Sequence, residues 1–218
     1  VRPSEAALSK AGGYMDLDVY RRRMSSEEIN ALPLVHYEGP ITLIRTTGEL
    51  AKAIEDIGQD PVLGFDTETR PTFRKGRVNP PALIQLATAG HVYLIQLSWL
   101  PLGQALTSVF ANPHQIKAGV GIGEDMRELA KLYPFTPAGH VDLGRIAYQH
   151  KIWSRGLRPL TANFFRQRIS KGSQCSNWSL RELSEKQMVY AATDAWIGRR
   201  LFMKMRDLGL VDTLAQEP

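Results

Sequence analysis

The stretch Val62-Leu63-Gly64-Phe65-Asp66-Thr67-Glu68-Thr69 opens as an apolar strand and ends by setting two carboxylates two residues apart. Strand side chains alternate faces with period two, so Asp66 and Glu68 leave the sheet on the same side. Two like charges at one strand end repel each other and resist desolvation unless a cation lies between them. The stretch therefore raises two questions: which cation, and which distant residues complete its shell.

Working outward, Ile41-Thr42-Leu43-Ile44-Arg45 reads as a strand that precedes this one. Between them, Thr46 and Glu49 have the spacing of a capping box, and Leu50, Ile54 and Ile57 supply a helical apolar stripe. On the other side, residues 70–77 form a loop with four cations (Arg70, Arg74, Lys75, Arg77) and no acid. Cations so close to the strand end are well placed for phosphates. Residues 82–88 and 92–97 read as two strands joined at Ala89-Gly90, which predicts an antiparallel meander. Beyond them, helices are expected over 102–110, 123–133, 142–150 and 157–168, with a strand over 116–122. A last helix starts at a second capping box, Ser184 with Gln187, and runs to about residue 208 before Gly209 stops it. The pattern predicts an α/β fold with one mixed β-sheet flanked by α-helices. We expect an N-terminal arm over 1–39, one domain over 40–212 and a short tail over 213–218.

Composition narrows the function classes. With 43% apolar and 22% charged residues in 218, the chain can bury a core without disulfides. It has no apolar run of the roughly 18–20 residues that a membrane span needs, and the first forty residues show no apolar signal region. Cys175 is the single cysteine, which favours a reducing compartment, and a cytoplasmic or nuclear location is expected. The net charge of +5 suits a polyanionic partner.

Two further carboxylates stand where structure should bring them to the strand end. Asp125 follows Gly119-Val120-Gly121-Ile122-Gly123-Glu124, a small-residue turn into the first turn of a helix, where the helix dipole favours an acid. Asp194 lies inside the last helix, four residues after Tyr190, so both share a face. Asp is a poor residue for a helix interior, and its neighbours Val189, Ala191, Ala192 and Trp196 are apolar or small. Asp66, Glu68, Asp125 and Asp194 are thus the candidate metal ligands. Oxygen ligands without Cys or His suit Mg²⁺ or Mn²⁺ rather than zinc. Two such ions, about 3.5–4 Å apart, can hold one phosphodiester between them. Tyr190 is the candidate for orienting the attacking water.

At these residues the chain resembles the ribonuclease D and Werner-exonuclease branch of the DEDD 3′–5′ exonucleases, tyrosine subclass, on a ribonuclease-H-like fold. The motifs are Phe65-Asp66-Thr67-Glu68-Thr69, Gly119 to Asp125, and Tyr190-Ala191-Ala192-Thr193-Asp194. Ala82-Leu83-Ile84-Gln85-Leu86, Val141-Asp142-Leu143 and Asn177-Trp178-Ser179 agree with it. The resemblance implies hydrolysis of RNA or DNA from a free 3′ end, releasing nucleoside 5′-monophosphates with two metal ions. Two departures stand out: Thr69 replaces a frequent bulky aromatic, and Arg181-Glu182-Leu183-Ser184 replaces the usual R-P-L-[ST]. The stretch ends at Pro218, short of the helical nucleic-acid-binding domains of full-length ribonuclease D, so tRNA is not carried over as the expected substrate.

Blander readings apply to several neighbours. Asp142 reads as a helix N-cap rather than a ligand, and Glu124 as a solvated acid. Trp178 reads as core packing before base stacking, and Phe164, Phe165, Arg166 and Arg168 suit an amphipathic helix as well as a substrate groove. The five histidines show no ligand spacing. A catalytically weak nucleic-acid-binding module on the same fold is the alternative function, and a small-molecule phosphodiesterase is a third.

Overall fold

A computed structural model describes residues 17–72 and 79–211. Its centre is a six-stranded sheet in the order β1-β4-β3-β2-β5-β6. The strands are β1 (Ile41–Ile44), β2 (Val62–Thr69), β3 (Pro81–Ala87), β4 (Val92–Gln96), β5 (Ile116–Gly119) and β6 (His140–Asp142). β2, β3 and β4 form the antiparallel meander, whereas β1 joins β4 in parallel and β5 and β6 extend β2 in parallel. The helices in chain order are α1 (Asp18–Arg21), α2 (Ser26–Asn30), α3 (Thr47–Ile57), α4 (Gln104–Phe110), α5 (Ile122–Leu132), α6 (Leu143–Gln149), α7 (Leu157–Phe165) and α8 (Glu185–Asp207). The fold is α/β, a mixed sheet with helices on both faces.

Local chemistry sets most boundaries. Thr46 and Ser184 each close a capping box, at the start of α3 and α8 respectively. Asp142 caps α6 by accepting hydrogen bonds from the backbone N–H groups of Gly144 and Arg145 at 2.9 and 3.2 Å. Three segments depart from the sequence expectation. The strand expected over 116–122 stops at Gly119, because Gly121 takes φ 75° and starts α5 at once. The helix expected over 157–168 ends at Phe165, where Arg166 enters the left-handed region at φ 54°. β6 was not expected as a strand, being too short to show periodicity.

The period-two alternation of β2 divides the core. Leu63 and Phe65 point into a cluster with α3, α4 and α5. Gly64, Asp66 and Glu68 point to the opposite face, which α8 covers. That helix lies very close to the sheet: a Cβ at Gly64 would stand 1.9 Å from the Ala195 carbonyl oxygen. Gly198 faces the Ala118 carbonyl at a corresponding 3.0 Å, and Ala191, Ala192 and Ala195 are fully buried beside it. A row of small residues is what lets a helix backbone settle onto a strand backbone at this distance. On the far side of α8, α6 and α7 build a second cluster with Ile197, Leu201 and Met205.

The described part of the arm runs across these helices. Tyr20 stacks on Phe164 with ring centroids 4.7 Å apart, and the Asn163 amide donates to the Tyr20 and Arg22 carbonyls. Leu34 bridges to Arg168, and the Tyr37 N–H donates to Thr193 Oγ1 at 3.0 Å.

Gly64→Ala is expected to destabilise the protein by about 3 kcal/mol, the upper range for overpacking. At this chain length that lowers Tm by roughly 6–12 °C. Gly48→Ala on α3, where nothing lies within 4 Å, is the control and should leave Tm equal or slightly higher. Thermal melts followed by circular dichroism check both; an unchanged Tm in Gly64→Ala would contradict the close approach of α8.

Candidate metal centre and active site

The sequence-derived acids come from three elements that meet at the C-terminal end of β2. Asp66 and Glu68 sit on β2, Asp125 in the first turn of α5, and Tyr190 and Asp194 on α8. β5 reaches this end because Gly119 lacks a Cβ, which would stand 2.5 Å from the Phe65 carbonyl oxygen. The turn at Gly121 then aims the N-terminus of α5 at the site.

These charges sense one another. Burial, with the charges of Asp194 and Asp125, holds the Asp66 carboxyl well above the usual carboxylate range. Burial and the charges of Asp66, Asp194 and Asp125 push Glu68 up to about 10. Asp194 rises to about 7, chiefly through burial, although the nearby Tyr190 hydroxyl donates to it and offsets part of the rise. Asp125 rises to about 6, again through burial, with Glu124 and Asp142 adding to it and the Thr67 hydroxyl opposing. Burial and the surrounding carboxylates raise Tyr190 further, so its hydroxyl keeps its proton at neutral pH.

Asp125 is tied to the strand that carries Asp66 and Glu68. Thr67, which stands between Asp66 and Glu68 and points to the other face, donates its hydroxyl to Asp125 Oδ1 at 2.5 Å. Asp66 Oδ1 accepts the Thr67 backbone N–H at 2.9 Å. Among the described residues no three His, Cys, Asp or Glu side chains are grouped closely enough to hold one ion as they stand. The donor chemistry nevertheless fits a hard divalent ion. The four carboxyls and the Tyr190 hydroxyl offer oxygen donors, and Asp194 Oδ1 is buried without a hydrogen-bond partner. A cation would satisfy that oxygen and reverse the repulsion that holds Asp66 and Glu68 protonated.

Three neighbours escaped the sequence reading. Thr67 could have been found from the same alternation that pairs Asp66 with Glu68. Gln85 lies opposite Asp66 in the β2–β3 register, fully buried, and neither atom of its amide has a partner. A glutamine inside an otherwise apolar buried strand was the available signal. Cys175 is exposed and lies near Glu68, a proximity that no local pattern encodes. Of the weighed neighbours, Trp178 is fully buried against Tyr190 at 6.0 Å between rings. Glu124 is exposed and paired with Arg127. Arg70 is exposed on the loop, and Arg74, Lys75 and Arg77 lie outside the described residues.

The chain is similar to known nucleases in sequence and in fold. The family model described as 3′–5′ exonuclease matches residues 41–209. The bifunctional 3′–5′ exonuclease/ATP-dependent helicase WRN of Mus musculus is 30% identical over 190 residues, which cover 82% of this chain and 13% of that protein. The chain therefore spans 13% of the length of that relative. Among solved structures, the EXO domain of Nibbler from Aedes aegypti superposes with a TM-score of 0.70 at 23% identity, covering 79% of this chain and 89% of that one. Escherichia coli RNase D, described as an exoribonuclease involved in structured RNA processing, gives 0.68 at 23% identity, covering 78% and 46%. At those identities the structural likeness carries the fold. The match over 41–209 carries the family: the chain belongs to the 3′–5′ exonucleases, nuclease hydrolases of DEDD type on a ribonuclease-H-like fold.

Proposed function

We propose that this domain removes nucleoside 5′-monophosphates one at a time from the 3′ end of a nucleic acid, using two divalent ions, Mg²⁺ or Mn²⁺. The observation that supports this most is the meeting of Asp66, Glu68, Asp125 and Asp194 at one strand end. There each carboxyl is raised above its ordinary range by burial, three of them further by neighbouring acids. Such a cluster has no value to a fold unless a cation neutralises it.

In this reading the four carboxylates hold the ions. The ions, when bound, lower the pKa of the attacking water and offset charge on the departing oxygen. The chain's own residues do the rest. Tyr190 keeps its proton and orients the water by hydrogen bonding, and Asp194 fixes the Tyr190 hydroxyl. Thr67 controls when Asp125 is available, since its hydroxyl occupies Asp125 Oδ1. The water oxygen bonds to phosphorus, the P–O3′ bond breaks, and the shortened strand keeps its 3′-hydroxyl. RNA is one candidate substrate, as in the exoribonuclease neighbour, and DNA is the other; either is read through its backbone and free 3′ end. The lone Cys175 supports a reducing, intracellular setting, and no helix among the described residues is long and apolar enough to cross a membrane.

Digestion of 5′-labelled single-stranded RNA and DNA should give a one-nucleotide ladder that EDTA abolishes. Asp66→Ala is expected to slow it by at least about a thousandfold, from several kcal/mol of lost charge stabilisation. Tyr190→Phe should cost about a hundredfold. Tight binding without any ladder would favour a binding module instead.

A pH test follows from the raised carboxyls. Below the ordinary carboxylate pKa both folded and unfolded chains are protonated, and the folded state is at full strength. As pH rises through about 6, 7 and 10, Asp125, Asp194 and Glu68 ionise in a buried cluster and stability is lost. Lys117, pushed down to about 8 by burial, acts with the opposite sign over part of this range. The difference between wild type and an Asp194→Asn/Glu68→Gln variant isolates the cluster. In EDTA the wild-type Tm should fall relative to the variant between pH 6 and 9. Added Mg²⁺ should raise the wild-type Tm, and more so at pH 9. Parallel Tm profiles for the two proteins would remove the cluster from the account.

A further inference from the structure

We propose that the surface carrying Tyr148, Trp153 and Arg155 is a second nucleic-acid site, a ledge that takes unpaired nucleotides upstream of the one being removed. The inference rests on the exonuclease reading above.

Charge segregation is the first observation. Residues 143–181 hold eight Lys or Arg and no Asp or Glu. The chain's whole excess of basic over acidic residues, 27 against 22, comes from this stretch. Of these cations, Arg145, Lys151 and Arg155 are exposed on α6 and the loop after it, the surface of the ledge, and positive charge beside a phosphodiester site attracts a polyanion.

The second observation is a pair of exposed aromatics held in place. Trp153 is 73% exposed and Tyr148 60%, more than any other large apolar side chain among the described residues. Their exposure is built rather than accidental. Lys151 turns the chain at φ 59° after α6, and the Ile152 N–H bonds back to the Ala147 carbonyl at 2.8 Å. Ile152 is then buried to 1% exposure and Ser154 to 8%, where the Asn163 amide donates to its hydroxyl. With both neighbours anchored inward, Trp153 is left projecting outward. Arg155 lays its guanidinium 4.1 Å from the centre of the Tyr148 ring. A flat aromatic, a stacked guanidinium and nearby lysine are the parts that hold bases and phosphates of a single strand.

The third observation is position. The Arg155 carbonyl oxygen would stand 2.8 Å from a Cβ at Gly144, so the loop closes onto the first turn of α6. That turn is capped by Asp142, which pairs in register with Gly119 at the end of β5 and whose charge is felt by Asp125. The ledge therefore begins at the same end of the sheet as the acids and leads away from them along its β6 edge. A strand whose 3′ end lies at the acids meets this surface a few nucleotides upstream. Stacking needs bare base faces, so the ligand class is single-stranded RNA or DNA rather than duplex.

The test uses Trp153→Ala and Arg155→Ala, separately and together, with Trp153→Phe as the conservative variant. On a 12-nucleotide single strand, the double variant should lose about 10- to 100-fold in kcat/KM through KM, as expected for one or two lost stacks. Its kcat should be unchanged, and cleavage of a dinucleotide should match the wild type. Trp153→Phe should restore most of the loss. Equal loss on the 12-mer and the dinucleotide, or none on either, would overturn the proposal. A wild type that gives no ladder would sink the exonuclease reading instead. In that case, fluorescence anisotropy of a labelled 12-mer, in EDTA, still decides the ledge: weaker binding and a shallower salt dependence in the double variant support it. Unchanged binding overturns it, including where the variants alter only self-association and the patch is a protein contact.

Discussion

The structure depends on how closely α8 lies on β2. At Gly64 the helix and strand backbones are separated by less than a methyl group requires. That approach brings Asp194 into the same small volume as Asp66 and Glu68, although more than 120 residues separate them in the chain. A larger residue at position 64 would lift the helix and dissolve the cluster before it touched any acid. The glycine is therefore as much a part of the site as the carboxylates are, and the alanines along the buried side of α8 serve the same end.

Packing this tight leaves polar atoms in debt. Gln85 has both amide atoms buried without partners, as are Trp178 Nε1 and Asp194 Oδ1. All lie on the α8 side of the sheet. Asn163 Oδ1 and Gln167 Oε1 are also without partners, whereas the Lys117 ammonium donates to the Asn112 and Gln115 carbonyls at 2.7 Å each. Unsatisfied groups beside buried acids mark a place where the fold has given up stability. Thr67 ties Asp125 to β2 through a single hydroxyl.

The outer parts of the molecule extend the same logic to the substrate. The described part of the arm lies along α7 and α8, tied by Tyr20 on Phe164 and by Tyr37 on Thr193 and Trp196, whose ring centroid lies 5.7 Å from that of Tyr37. Beside β6, α6 and the loop after it expose Arg145, Lys151 and Arg155. A cluster of buried acids at one end and a basic flank beside it would suit a polyanion held along its length.

Much of this could be read from residues near one another in the chain. Alternation put Asp66 and Glu68 on one face, the spacing of Tyr190 and Asp194 put them on one helical side, and the caps at Thr46, Asp142 and Ser184 are where their side chains could act. These are interactions spanning two to four residues, decided by backbone geometry wherever the segment ends up. Other features needed the folded chain. The parallel pairing of β1 with β4, the short β6, Gln85 opposite Asp66, the Thr67–Asp125 bond and the Gly64–Ala195 contact join residues from 19 to 131 positions apart. No local period or cap encodes such pairs, because many registers satisfy the same alternation and only simultaneous packing of both sheet faces selects one. The chain thus states by itself which groups carry charge and which way each points from its own element. How close those groups stand, and which of them are left without partners, is decided by tertiary packing alone.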